Sequence, residues 1–341
     1  MRSSGTRVGG ASEPFAETIA TPFYRLHKPA ELVVLVLTLL SHGCPTQAIV
    51  AAFGLDERTV ARWLAGAGAH CQRVHEHLVE QGQVDLQHVQ ADELWVKQVG
   101  TRVWMALALA VPTRLWLGGV ISGQRDLPLI TRLVQRVRAC AVSPAVLVCV
   151  DGLASYVTAF LKIFRQPIYT GRRGRPRLVL PEAFQFAQVV KHAAKRHVVG
   201  VTRRVVRGSL DGIEAVLTAT TTGTVINTAY IERLNATFRA HLAPLTRRGR
   251  AIARTEATLT AGMWLVGTAY NFCWPHDSLR RLAAPDAPRK WHERTPAMAA
   301  GLADHPWTLV ELLRFQVPVP RWIPPKRRGR PPKPPPLGVA A

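Results

Sequence analysis

From residue 86 onward the chain carries three strand-like runs, 86–99, 103–111 and 115–121: the first alternates apolar with polar positions around Asp92, and the other two are apolar throughout apart from Gly118 and Gly119. Their length and the turn residues between them predict three strands. Gly100-Thr101-Arg102 and Pro112-Thr113-Arg114 separate the runs and read as turns, so the strands form an antiparallel meander. Helical spacing takes over at 126–139. The run at 145–150 is wholly apolar and too short for a helix, which predicts a strand buried on both faces. Helices are expected at 154–164, 228–242 and 255–272, the last packing behind the one before it, and one more strand at 183–191. Residues 169–180 and 192–211 are basic and carry no clear period.

Upstream, 29–40 reads as a buried helix and 45–65 has the spacing of a helix-turn-helix. Thr46 to Phe53 forms its first helix, Gly54 the turn, and Asp56 the cap of the second. In that second helix Val60, Trp63 and Leu64 face inward, leaving Arg58, Thr59 and Arg62 to point out toward DNA. The expected organisation is a disordered N-terminus (1–24), a helix-turn-helix DNA-binding domain (25–84), an α/β catalytic domain (85–275), a helical or irregular segment (276–317) and a Pro-rich basic tail (318–341).

Charge narrows the class. The 341 residues hold 44 Lys+Arg against 22 Asp+Glu, a net charge of +22, which calls for a polyanionic partner. No polybasic run flanks an apolar anchor, and the longest apolar stretch is far shorter than the ~20 residues a membrane span needs. The N-terminus lacks a secretory h-region, so a cytoplasmic, nucleoid-associated protein of bacterial type is expected. Cys44, Cys71, Cys140, Cys149 and Cys273 include no C-x-x-C pair and read as reduced residues.

Against this basic background three acids stand in costly places. Asp92 interrupts the first strand, Asp151 ends the apolar run at 145–150, and Glu232 sits in a helix. Buried-strand carboxylates need neutralising, and a divalent cation held by oxygen is the usual means. If the strands carrying Asp92 and Asp151 are neighbours, their carboxylates converge and Glu232 closes the site. Such a trio can hold two metal ions about 4 Å apart for phosphodiester chemistry. Glu93 rivals Asp92. As strand neighbours the two must face opposite sides of the sheet, so only one is expected to serve.

Three segments in order carry a family resemblance: Asp92-Glu93-Leu94-Trp95 with Trp104, Asp151-Gly152 with Tyr156, and Ile231-Glu232-Arg233-Leu234-Asn235 with Phe238-Arg239 and Thr246-Arg247-Arg248. Over 87–271 the chain resembles the DDE transposases of the insertion-sequence-one type. The element order is also that of an RNase H-like α/β domain, a mixed sheet with flanking helices, here preceded by a small all-α domain. The resemblance implies Asp92, Asp151 and Glu232 as the catalytic, metal-binding triad and Asn235 as an accessory residue. It further implies two Mg²⁺ ions, for which Mn²⁺ can substitute, acting on the element's inverted-repeat ends and on target DNA, with the protein working as a homodimer or higher assembly. The family often carries a small zinc-binding segment before its helix-turn-helix, and this chain lacks the cysteines for it.

Arg173-Gly174-Arg175-Pro176 and Arg328-Gly329-Arg330-Pro331 repeat one core that resembles an AT-hook, suited to a narrow minor groove. Lys191, His192, Lys195, Arg196, His197, Arg203, Arg204 and Arg207 lie between Asp151 and Glu232 and are expected, with Arg239, Arg247 and Arg248, to grip DNA. The function expected is that of an insertion-sequence transposase. The alternatives are a non-catalytic DNA-binding derivative and a nuclease on the same fold.

Overall fold

The computed structural model describes residues 18–169, 171, 174–194, 197–246, 251–284 and 288–318. Arg173, Lys195, Arg196, Arg247, Arg248, Arg328 and Arg330, expected to contact DNA, lie outside them.

Three helices come first: α1 (Ala30–Ser41), α2 (Thr46–Phe53) and α3 (Glu57–His75). Gly54 turns α2 into α3 from the left-handed region, φ +60°, which glycine enters without steric cost. Asp56 caps α3 by accepting from the Arg58 backbone N–H at 2.8 Å. Helix α3 does not stop near Ala65 as its sequence suggests. It continues to His75 and through a π-helical turn, Glu76–Glu80. Its second half presents Ala67, Gly68, Cys71 and Val74 to the core, and these small residues admit a close helix crossing. A Cβ on Gly68 would stand 2.5 Å from the Ala261 Cα.

The meander follows as β1 (His88–Gln98), β2 (Thr101–Ala110) and β3 (Leu115–Ser122). Helix α4 (Leu127–Cys140) is capped by Asp126 and buries Leu129, Ile130, Leu133, Val134 and Val137. At roughly 1.5–3 kcal/mol per buried aliphatic side chain, that stripe outweighs the modest helix propensity of its β-branched residues. Next come β4 (Leu147–Asp151), α5 (Ala154–Ile163) and a small hairpin of β5 (Gln166–Ile168) with β6 (Arg177–Val179). A long hairpin of β7 (Gln185–Ala194) and β8 (His197–Arg207) comes after it, and then α6 (Leu210–Ala219), α7 (Ala229–His241) and α8 (Glu256–Phe272). The described chain closes with β9 (Arg281–Leu282), β10 (Trp291–His292), α9 (Pro296–Ala299) and α10 (Leu309–Arg314).

The fold is mixed α/β. Its six-stranded sheet has the order β3-β2-β1-β4-β7-β8. Strands β1, β4 and β7 run parallel, while β2, β3 and β8 are antiparallel to their neighbours. Helices cover both faces. Leu94, Val96, Met105 and Leu107 point to one side and share a core with Phe238 of α7 and Leu265 of α8. Val36, Ile49, Trp63 and Leu64 of α1–α3 belong to that same core, so the N-terminal helices close against the sheet's own helices. Ala91, Ala106, Val148 and Val150 point to the other side, against α4 and α5. A third, smaller cluster joins Leu147, Cys149, Ala187 and Val189 to Ile213 and Leu217 of α6. Among the described residues no helix is long and apolar enough to cross a membrane.

Candidate metal centre

β1 and β4 pair in parallel from His88↔Leu147 to Ala91↔Val150. The next level brings Asp92 beside Asp151, and because paired residues in a parallel ladder share a face, both carboxylates leave the sheet on the same side. Here β4 ends, its apolar run spent. The turn beyond it is built from polar bonds: the Asp151 carboxylate accepts from the Leu153 N–H at 3.0 Å, and the Gln188 amide of β7 donates to the Asp151 carbonyl at 3.0 Å. The Arg204 guanidinium of β8 in turn donates to the Gln188 side-chain oxygen.

Helix α7 is placed by β1 itself. Thr228 precedes the helix without capping it. The fully buried Gln90 takes over that role, accepting from the Tyr230 and Ile231 N–H groups at 3.1 and 3.0 Å and donating to the Asn227 carbonyl at 2.8 Å. Two residues along the same strand face, Asp92 accepts from the Asn235 amide at 2.8 Å. One strand thus fixes the start and the middle of the helix that carries Glu232.

Carboxylate oxygens of Asp92, Glu93 and Asp151 lie within 4.8 Å of one another and can hold a metal ion. Of Asp92 and Glu93 only one is expected to serve, yet the carboxylate oxygens of both come within 4.8 Å of that of Asp151. The two do leave β1 on opposite faces, Asp92 toward Asn235 of α7 and Glu93 toward the Tyr156 hydroxyl of α5, which donates to it at 2.8 Å. Pairing with β4 reaches only to Ala91↔Val150, however, so Asp92 and Glu93 both lie just past the end of the β1–β4 ladder, at the level of Asp151.

Charge compensation across the group is uneven. Arg125, at the mouth of α4, pairs with the buried Glu93 and with Asp151 at 3.2 Å, its guanidinium 5.3 Å from the Trp104 ring centre. Lys191 of β7 pairs with Glu232. Among the described residues Asp92 has no cationic partner; the Asn235 amide and the Glu93 N–H are its donors. Burial, and then the charges of Glu93 and Asp151, push its carboxyl up to about 7. Glu93 is also held above its ordinary range, by burial and by Asp151, against the pull of Tyr156 and Arg125. The Tyr156 hydroxyl, buried beside Glu93, stays protonated well past the ordinary tyrosine range.

Glu232 lies outside the group of three. Its carboxylate is half-exposed and accepts from Lys191 and, at 3.0 Å, from the Thr228 hydroxyl. Its charge is still felt at Asp92. Arg125, Gln90 and Gln188 are not among the expected site residues. An arginine in a turn carries no local signal, whereas Gln90 and Gln188, polar residues amid apolar runs, break the pattern as Asp92 does.

The basic residues divide by contact. Arg58 and Arg62 of α3 are exposed and Thr59 is half-buried. Arg203 donates to the Ile226 carbonyl at 2.8 Å. His192 meets the Thr202 hydroxyl at 2.8 Å across the β7–β8 hairpin. Arg175, His197 and Arg207 are exposed, and Arg239 is half-buried in the last turn of α7.

A scan against protein-family models finds none that matches the chain, and a search of curated proteins finds no match.

Proposed function

We propose that the chain is a DNA transposase of the DDE type, built on an RNase H-like fold. The observation that carries the reading is the meeting of Asp92 and Asp151 at one level of adjacent parallel strands, with a helix bearing Glu232 and Asn235 tied to the same strand. The strand order is compatible with that fold. The exposed Arg58 and Arg62 on the capped helix α3 support its reading as the recognition helix of a helix-turn-helix. The excess of basic residues supplies the affinity for phosphate.

The residues fit a hard divalent cation. The donors are all oxygen, and Asp92, crowded by like charge and without a cationic partner, gains most from one. Two Mg²⁺ ions, or Mn²⁺ in their place, supply activation of the attacking oxygen and stabilisation of the leaving oxygen when bound. Asp92, Asp151 and Glu232 are the ligands proposed, with Glu93 reaching the same space. Asn235 keeps the Asp92 carboxylate turned toward Asp151. Lys191 pairs with Glu232. The reaction proposed is attack of a water oxygen on phosphorus at an element end, breaking the P–O3′ bond and leaving a 3′-hydroxyl and a 5′-phosphate, then attack of that 3′-hydroxyl on a target phosphorus, which breaks the target's own P–O3′ bond and releases its O3′ as a hydroxyl. Joining two ends requires two such sites, so a homodimer or larger assembly on DNA is part of the reading, as is a cytoplasmic location.

The test is joining. Labelled DNA bearing the inverted repeats that flank the gene is supplied pre-cut, with either a 3′-hydroxyl or a 3′-deoxy end, together with plasmid target and Mg²⁺. Transposition predicts joined product only from the 3′-hydroxyl. Nicking without joining from either end would replace the reading with a nuclease.

A further inference from the structure

We infer that a cavity on the far side of α7 from the carboxylates is a binding site for a backbone phosphate of DNA, an inference that rests on the DNA-processing reading above. The cavity holds about 220 Å³ and is lined by Arg114, Tyr230, Arg233, Thr237, Tyr270 and His276, among others. No carboxylate lines it. Among the described residues neither Arg114, Arg233 nor His276 has an ion-pair partner. Arg114 is half-buried, and its guanidinium stacks on the Tyr230 ring at 4.1 Å. Two guanidinium groups and an imidazole turned toward one concave space, with hydroxyl groups between them, form a site for a doubly hydrogen-bonding anion.

The backbone carries a second, independent sign. Arg114 sits at φ +58°, in the left-handed region that glycine or asparagine enters most easily. Pro112-Thr113-Arg114 need only turn β2 into β3, and a glycine at the third position would do so without strain. The Arg114 guanidinium donates to the Val111 carbonyl of its own turn and also lines the cavity, so the turn that carries this φ sets the guanidinium at the cavity wall. Burial and the nearby Arg233 charge also weaken the hold of Arg114 on its proton, a cost that a bound anion removes. The place is apt. Helix α7 turns Glu232 and Asn235 toward the carboxylates and, on its other side, Arg233 and Thr237 into this cavity. A strand lying across the helix can therefore be held at one phosphate while another meets the carboxylates. Nothing in the base-reading sense is required, so the contact adds affinity without sequence preference.

Binding of the full chain to a labelled duplex is followed by fluorescence anisotropy across a range of KCl concentrations. The Arg114→Gln/Arg233→Gln double variant should lose about 0.9 from the slope of log K against log salt, the share of one phosphate contact. An Arg132→Gln/Lys162→Gln variant removes the same charge from the helices on the other face of the sheet and should keep the wild-type slope. Arg233→Gln alone, at an exposed position, gives the same direction of change if Arg114→Gln fails to fold. Equal slopes for the pocket and control variants overturn the assignment. So does the case in which slopes are equal but inorganic phosphate, at fixed ionic strength, raises the Tm of the wild type and not of the pocket variant. The phosphate then comes from solution. The readout is binding, so it separates from the catalytic reading: a lost slope with no cleavage by any variant keeps the phosphate site and removes the enzyme.

Discussion

The Asn235 amide donates to the Asp92 carboxylate at 2.8 Å, joining helix α7 to strand β1 at the level where β4 ends in Asp151. Asn235 sits three positions after Glu232 and so on the same face of the helix. Asn235 is 2% exposed, and its other amide atom, Oδ1, has no hydrogen-bond partner among the described residues. Asn235→Ala should therefore cost little stability, about 1–2 kcal/mol. In single-turnover strand cleavage it should slow the reaction roughly 10–100-fold, the range seen when a residue supporting a metal ligand is lost. Unchanged cleavage in a folded variant would mean that Asp92 needs no orienting.

Asp92 gives the metal-free protein a pH dependence of defined sign. Its carboxyl stands at about 7 in the folded chain, raised chiefly by burial, and near 4 when unfolded. Between those values the folded state keeps a proton that the unfolded state has released, so stability from this group is complete below about pH 4 and is lost as pH rises to about 7. In EDTA at pH 8, Asp92→Asn should be more stable than the wild type by about 1–3 kcal/mol, and in a separate assay with Mg²⁺ it should have lost cleavage. A urea melt at pH 8 showing the variant less stable would contradict the charge crowding.

Arg125 is the counter-charge of the buried Glu93. Arg125→Ala strands that charge and should destabilise the fold by about 1–3 kcal/mol, below the full cost of breaking a buried pair because the arginine is 36% exposed. Adding Glu93→Gln should restore most of the loss. If the double variant were no more stable than the single one in guanidinium melts, Arg125 would act through packing on Trp104 instead.

Arg58 and Arg62 lie exposed on α3, and among the described residues neither forms an ion pair. Arg58→Ala/Arg62→Ala should leave Tm within the error of a surface change. Binding to the inverted-repeat ends should weaken by at least tenfold, with preference over unrelated DNA reduced, in competition gel shifts. Retained preference would move end recognition elsewhere in the chain.

Much of this site is legible in the residues. The alternation through β1 and the apolar run of β4 place Asp92 and Asp151 on strands, and the structure makes those strands parallel neighbours. What escaped reading did so for physical reasons. Strand β8 is exposed or half-buried along its whole length, so it shows no buried face, and 192–211 read only as a basic segment although it pairs with β7. Helix α6 follows a basic stretch and buries just Ile213 and Leu217. The sharing of space by Asp92 and Glu93 depends on where β4 stops, and Arg125 on how the loop before α4 folds back. Neither is a property of local sequence.

The most direct test is Mg²⁺-dependent cleavage of labelled inverted-repeat DNA by the wild type, Asp92→Asn and Asp151→Asn, with DNA binding measured on the same samples. The account predicts that the wild type cuts only with divalent metal, and that both variants bind DNA as tightly as the wild type while cleavage falls by about three orders of magnitude or more, as expected when a metal ligand is removed. Cleavage by Asp151→Asn at the wild-type rate, or binding without cleavage by all three proteins, would contradict it.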